Sequence, residues 1–350
     1  MLTPIDRTVH VATLAEDRVK ACFATLLQLI FFNERDDEAQ RFFSISLSAR
    51  GSAESISIIA DATDLAAFEP GDISVDDTLW EVLSKHVPGH MPYHAHTVHL
   101  PCTHLGHHRP LAAYAQVLLV GEGSVGFESV GVVERITGPL ASAAIPVLYI
   151  STVSTDYVLI PVDRVAAAHA VLERCVGGEV ARVAPPSPPR ERHAHSHPLL
   201  ALSAARTCIF CVDKAALREH TSALLRLLFL PQPNDPPLAL RALTETPDEI
   251  SVLTGTPPWF VEYAERSALR GSHQAWVPIR VGEDGGTPLD EVGVVATQAY
   301  VLASANLPIL YHATFLSDYT LVQEEQLDTA IAAFAAADFS ITKSREEGQT

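Results

Sequence analysis

Valine and threonine alternate with other residues at Val9, Val11 and Thr13, the two-residue period of a strand, and from residue 17 the period changes. Val19, Cys22, Phe23, Leu26, Leu27 and Ile30 recur at three- and four-residue intervals, which predicts a helix over 17–32. Strands are predicted at 42–47 and 54–59 around the turn-rich Ala49-Arg50-Gly51-Ser52, and 61–68 suits a short helix. The order β-α-β-β-α opens a ferredoxin-like module. It returns later, with a strand at 207–212, a helix at 214–230 and a hairpin of 240–243 with 250–253.

Residues 127–172 come back without a gap as 289–334. VGVV at 130–133 meets VGVV at 292–295, LASA at 140–143 meets LASA at 302–305, and Tyr149 and Asp156 meet Tyr311 and Asp318. A unit recurring at a fixed offset is one supersecondary block, and a site is expected where its copies meet. Within the first copy, 131–133 reads as a strand start, 139–144 as part of a small-residue helix, 147–151 and 157–161 as antiparallel strands, and 163–172 as a helix; 112–120 is a β-rich run leading in. The expected fold is α+β, four ferredoxin-like modules (βαββαβ) in two pseudo-symmetric halves. Modules are placed at 1–84, 112–176, 201–256 and 257–335. Between them lie a His-rich insertion at 85–111 and a Pro/His-rich linker at 177–200, and a flexible tail occupies 336–350.

Composition narrows the function. Hydrophobic residues at 47% and charged residues at 19% describe folded cores rather than disorder. A formal charge of −18 opposes nucleic acid and anionic membrane as partners and leaves cationic or zwitterionic ligands open. The opening MLTPIDRTVHVATLAEDRV has no basic n-region, and no apolar run approaches the ~18 residues of a membrane span, so a cytoplasmic chain is expected. Five scattered cysteines fit a reducing compartment. Cys208 and Cys211 make a CxxC inside a strand-like run with no second pair. His86, His90, His94, His96, His99, His104, His107 and His108, with Cys102, do not converge on a four-ligand pattern. No metal and no cofactor are expected. Neither are catalytic residues, since GxSxG, P-loop and dinucleotide signatures are missing.

Several runs carry a family resemblance: LFLP at 228–231 with LTETP at 243–247, GFESVG at 126–131 with TGPLA at 137–141, and YISTVSTDY at 149–157. With the four-module order, they resemble ACT domains, and over nearly the whole chain the CASTOR family of cytosolic arginine sensors of the TOR pathway. The LFLP and LTETP signatures belong to the first half of the animal sensors but stand in the second half here, so the two sides of a site are exchanged.

The resemblance implies a free amino acid, arginine or similar, held between the second and fourth modules. Glu291 matches the glutamate that takes the α-ammonium. Gly293 and Val294 match the turn whose backbone N–H groups approach the carboxylate. Thr314 and Phe315 match the loop around the ligand, and Asp318 the acid that meets the guanidinium. Pro146 and Val147 match the contribution of the opposite module, although the family has serine in place of Pro146. A mirror site would use Ser129, Gly131, Val132, Thr152, Val153 and Asp156 with Pro308 and Ile309, where Ser129 removes the ammonium's counter-charge. Thr152, Asp156, Thr314 and Asp318 also suit the capping of turns. The expected function is a non-enzymatic amino-acid sensor, a homodimer that regulates a protein partner in nutrient signalling. The alternative is a stand-alone regulatory subunit of a biosynthetic enzyme such as an aspartate kinase.

Overall fold

The computed structural model describes residues 2–33, 41–50, 53–85, 129–176, 197–231, 239–267, 269–282 and 287–344. The His-rich run and the expected strand at 112–120 lie outside the described residues, as does the linker up to residue 196.

The chain begins with β1 (Leu2–Leu14), α1 (Val19–Phe31), β2 (Phe43–Arg50), β3 (Ala53–Ala60), α2 (Ala62–Leu65), β4 (Ile73–Val75) and β5 (Trp80–Lys85). α1 buries Cys22, Leu26 and Ile30 of the predicted stripe together with Leu29 and Phe31, while Val19, Phe23 and Leu27 stay half-buried. The single turn of α2 is started by Asp61, whose carboxylate accepts from the Asp64 backbone N–H at 2.9 Å. Next come α3 (Val132–Ser142), β6 (Leu148–Ser151), β7 (Asp156–Pro161) and α4 (Val165–Val176). β8 (Leu199–Ala201), β9 (Thr207–Val212), α5 (Leu217–Phe229), β10 (Leu240–Glu245), β11 (Ile250–Gly255) and α6 (Pro258–Arg266) follow. The chain closes with β12 (Arg270–Val281), α7 (Val294–Ser304), β13 (Ile309–Ala313), β14 (Asp318–Gln323), α8 (Leu327–Ala336) and β15 (Ile341–Lys343).

Hydrogen bonds link β14, β13, β6, β7, β5, β1, β3, β2, β10, β11, β9 and β12 in that order, and β12 pairs back onto β14 to close a ring. Two seams join the first part of the chain to the second. β2 and β10 pair antiparallel from Ser48 against Leu240 to Phe43 against Glu245. β6 and β13 touch at one pair, Ile150 against His312. These two residues hold the same position in the two copies of the repeat, so the copies meet at equivalent points, the geometry of a local two-fold axis.

Burial along β2 shows how the ring is filled. Phe43, Ile45 and Leu47 enter the core shared with α1 and α5, while Ser44, Ser46 and Ser48 on the opposite face are equally buried. A strand with one wet face would expose those serines. Here Ser46 Oγ meets His312 Nε2 of β13 from across the ring at 2.7 Å, while Ser44 Oγ meets Thr244 Oγ1 of the adjacent β10 at 2.8 Å and Ser48 Oγ meets Ser55 Oγ of the adjacent β3 at 2.9 Å. The seam is hydroxyl-lined because each buried polar group needs a partner. Burial pushes His312 down to about 4, so its imidazole is neutral at pH 7.

Two expectations are corrected. Residues 131–133 start a helix, not a strand: Gly131 takes a left-handed φ of 74° and α3 begins directly after it. Tertiary packing overrides the β-propensity of Val132 and Val133, since Val133 is buried in the core and α3 packs against α7. The tail is not frayed throughout, because Ile341–Lys343 form β15, parallel to β8. β12 escaped prediction because Arg270–Val281 has no clean alternation and contains Pro278.

Candidate functional site

The start of α7 is built by Glu291 and Gly293. Glu291 closes a turn through its N–H to the Pro288 carbonyl at 3.1 Å, and Gly293 at φ 89° turns the chain into the helix. A left-handed position of this kind favours glycine. The first backbone bond into the helix runs from Thr297 N–H to the Gly293 carbonyl at 3.0 Å. The N–H groups of Val294, Val295 and Ala296 thus lie in the turn where a helix has no internal acceptors and its dipole is positive.

Across from that turn stand Thr137, Ala141, Ile145 and Val147. With Glu291, Gly293, Val294, Val295 and Ala296 they line a cleft of about 190 Å³, counting the part open to solvent. In this structure the cleft is too narrow for a water-sized sphere. Four of the predicted residues, Glu291, Gly293, Val294 and Val147, line this cleft.

Asp318 begins β14 and is 7% exposed. Burial, reinforced by the charge of Glu291, pushes its carboxyl up to about 7, against the opposing influence of the Tyr311 hydroxyl and His197. Glu291 Oε2 meets His197 Nε2 at 2.7 Å. Glu291 and His197 thus form a contact close enough for both charges to act on Asp318. Thr314 spends its hydroxyl on its own turn, donating to the Ser317 carbonyl at 2.6 Å and accepting from the Ser317 N–H at 3.0 Å. The Phe315 N–H donates to Ser57 Oγ at 2.8 Å, which ties this turn to β3.

The mirror residues keep the turn and lose the charge. Thr152 Oγ1 donates to the Thr155 carbonyl at 2.6 Å, the counterpart of the Thr314 turn. Val153 N–H donates to Ser251 Oγ at 3.3 Å, and Ser154 donates through N–H and Oγ to the two oxygens of Glu249 at 3.0 and 2.7 Å. Asp156 interacts with the Tyr149 hydroxyl as Asp318 does with Tyr311. Ser129 precedes Gly131 and Val132 at the start of α3, while Pro308 and Ile309 lead into β13. Where the second copy has Glu291, Gln298, His312 and Thr320, the first has Ser129, Ile136, Ile150 and Val158. The polar set sits on one side.

The ACT domain family matches at residues 113–174 and again at 271–336. In these two stretches the chain is similar to ACT domains. It is related in sequence to proteins named cytosolic arginine sensor for mTORC1 subunit 1. The protein from Bos taurus is 27% identical over 225 residues, covering 57% of this chain and 67% of the relative. The human protein is 27% identical over 227 residues with the same coverage. Among solved structures, the aspartate kinase from Synechocystis aligns over 98% of this chain and 56% of its own, at 13% identity and a TM-score of 0.32. Among the described residues, no helix is long and apolar enough to cross a membrane.

The two matches hold residues from both walls of the cleft: Val147 lies in the first, and Glu291, Gly293 and Val294 in the second, which also contains Asp318. The arrangement offers an ammonium acceptor at Glu291, backbone N–H donors for a carboxylate at α7, and a second, buried acid for a distal cation. Sequence reasoning missed His197, which lies in the expected linker, and Gln298. The latter had left a signal, since the position-by-position comparison sets it against Ile136. Cys208 and Cys211 lie three residues apart in β9, hence on opposite faces of the strand, and burial pushes both thiols up to about 12.

Proposed function

We propose that the chain is a non-enzymatic sensor of a free amino acid with a cationic side chain, arginine or similar. The chain is read as four ACT modules in two halves, with the ligand between the second and fourth. The carrying observation is Asp318, a carboxylate 7% exposed that faces Glu291 beside the start of α7. A guanidinium is the complement such an acid lacks, because charge-assisted bonds in a closed site are strong and directional. Occupancy would part α3 from α7 and redirect Glu291 from His197 to the α-ammonium. A protein partner in nutrient signalling would read that change on a homodimer, provided it binds the two states with different affinity. The relatives' printed names support the ligand and the pathway.

A thermal-shift screen of the full chain with the twenty amino acids tests the reading. Arginine is expected to raise the melting temperature most; no response to any of them would end the proposal.

The pH dependence has a definite sign. A cation beside Asp318 favours its charged form, so binding expels the proton that burial retains up to about 7. Arginine affinity is therefore expected to fall by up to about tenfold per pH unit below about pH 7 and to level off above it. In the protein alone the sign reverses. Because the unfolded carboxyl ionises first, burial of Asp318 costs stability as pH rises from about 4 to about 7. Calorimetric titration between about pH 6 and about pH 8 decides the matter, and a flat Kd would remove Asp318 from the contact with the cation.

A further inference from the structure

We propose that Gln298 is a positioning residue that ties the first turn of α7 to β14 and holds Tyr311 so that Asp318 presents its carboxylate to the ligand's cation; this rests on the sensor reading above. Gln298 is 1% exposed in the middle of α7. Its amide is fixed at both ends. Oε1 accepts from Thr320 Oγ1 at 2.6 Å, and Nε2 donates to the Val294 carbonyl at 3.0 Å. Val294 lines the cleft, and Thr320 is two residues from Asp318 on β14. One side chain thus spans the backbone that would receive the carboxylate and the strand that would receive the cation.

The orientation of the amide matters. With its oxygen committed to the Thr320 hydroxyl, its N–H₂ faces the Val294 carbonyl and leaves a second N–H. The Tyr311 hydroxyl lies near both Gln298 and Asp318 and interacts with both, short of full hydrogen-bond geometry. An amide N–H directed at the Tyr311 oxygen turns the phenolic proton toward Asp318, an acceptor that then keeps a free oxygen. The groups facing Asp318 are Tyr311 from β13, Glu291 from the turn before α7, and His197 from the segment before β8. In the first copy the same tyrosine and aspartate stand at Tyr149 and Asp156, but Ile136 and Val158 replace the amide and the hydroxyl. The fold holds its tyrosine there without such a network, so packing alone does not require Gln298.

A merely structural glutamine would affect stability and nothing else. The test is a ¹³C-carboxyl titration of Asp318 in the full chain, with Asp318→Asn to assign the signal, followed by arginine titration across pH. In Gln298→Met the Asp318 midpoint is expected to move up by about half a pH unit while that of Asp156 stays, because the donor relay to the carboxylate is lost. Arginine affinity should fall about threefold below about pH 7 and rejoin the wild-type value above about pH 8. Thr320→Val, which releases only one end of the amide, should shift both readings the same way by less, and it serves if Gln298→Met does not fold. An Asp318 midpoint identical to wild type in both variants overturns the assignment. If the wild type binds no amino acid, the sensor reading fails, and the midpoints still decide what Gln298 does.

Discussion

Asp318→Asn is expected to abolish the stabilisation by arginine proposed above, while Asp156→Asn leaves it nearly intact. The two residues hold equivalent places in the repeat and both sit beside a buried tyrosine, so only their surroundings separate them. Asp318 is almost fully buried and faces Glu291, whereas Asp156 is half-buried in register with Lys85, and Ser129 replaces the counterpart of Glu291. Removing one partner of a desolvated charge pair costs about 3–5 kcal/mol, or about two to three and a half powers of ten in Kd. The substitution is also clean. A carboxyl whose pKa is raised by burial strains the folded state at neutral pH, so the amide should melt no lower than wild type without ligand. Melting curves with and without arginine for the two variants settle which side of the crevice is used. Loss of the response in Asp156→Asn alone would move the site to Ser129, Gly131 and Thr152.

Where local pattern and tertiary need agree, the elements were legible. Thr207–Val212 was read to the residue because it is a buried apolar run bounded by polar punctuation. The start of α3 was not. Gly131-Val132-Val133 has strand propensity, and only the neighbouring α7 makes a helix the better way to bury Val133. Ring closure was equally hidden, since Ile150 and His312 meet at a single pair and no sequence pattern announces a one-residue seam. The candidate site divides along the same line. Glu291, Gly293, Val294 and Asp318 were found through resemblance and the repeat, but the pairing of Glu291 with His197 crosses 94 residues of sequence. The alternating serines of β2 carry no sign of their burial, because part of their cover, His312, comes from the other end of the chain.

Arg41→Met, the loss of a buried cation at the β2–β10 seam, should cost about 3–5 kcal/mol of stability. Arg41 is 4% exposed just ahead of β2; its Nε donates to Asp64 Oδ2 at 3.0 Å and its Nη1 to Glu245 Oε2 at 2.5 Å. The guanidinium also lies over the Phe43 ring at 4.5 Å, and Phe43 is the residue paired with Glu245 across the seam. Lys214 reaches the other oxygen of Glu245 at 2.9 Å, so Glu245 keeps a cation when Arg41 is removed, while Asp64, 3% exposed, loses one. The cost therefore concentrates on Asp64. Arg41→Met combined with Asp64→Leu should recover at least about half of the loss, because a buried ion pair exchanged for packed apolar groups is close to neutral. Urea denaturation of the two variants measures this, and a loss below about 1 kcal/mol in Arg41→Met would mean that the pair behaves as a solvated surface bridge. The seam also bears on binding. β2 and β3 hold the second ACT segment through Ser46 to His312 and Ser57 to Phe315, so loosening them should weaken arginine binding about equally at every pH. That uniform loss is distinct from the pH-dependent one expected of Gln298→Met, and the two profiles separate support of the site from tuning of its acid.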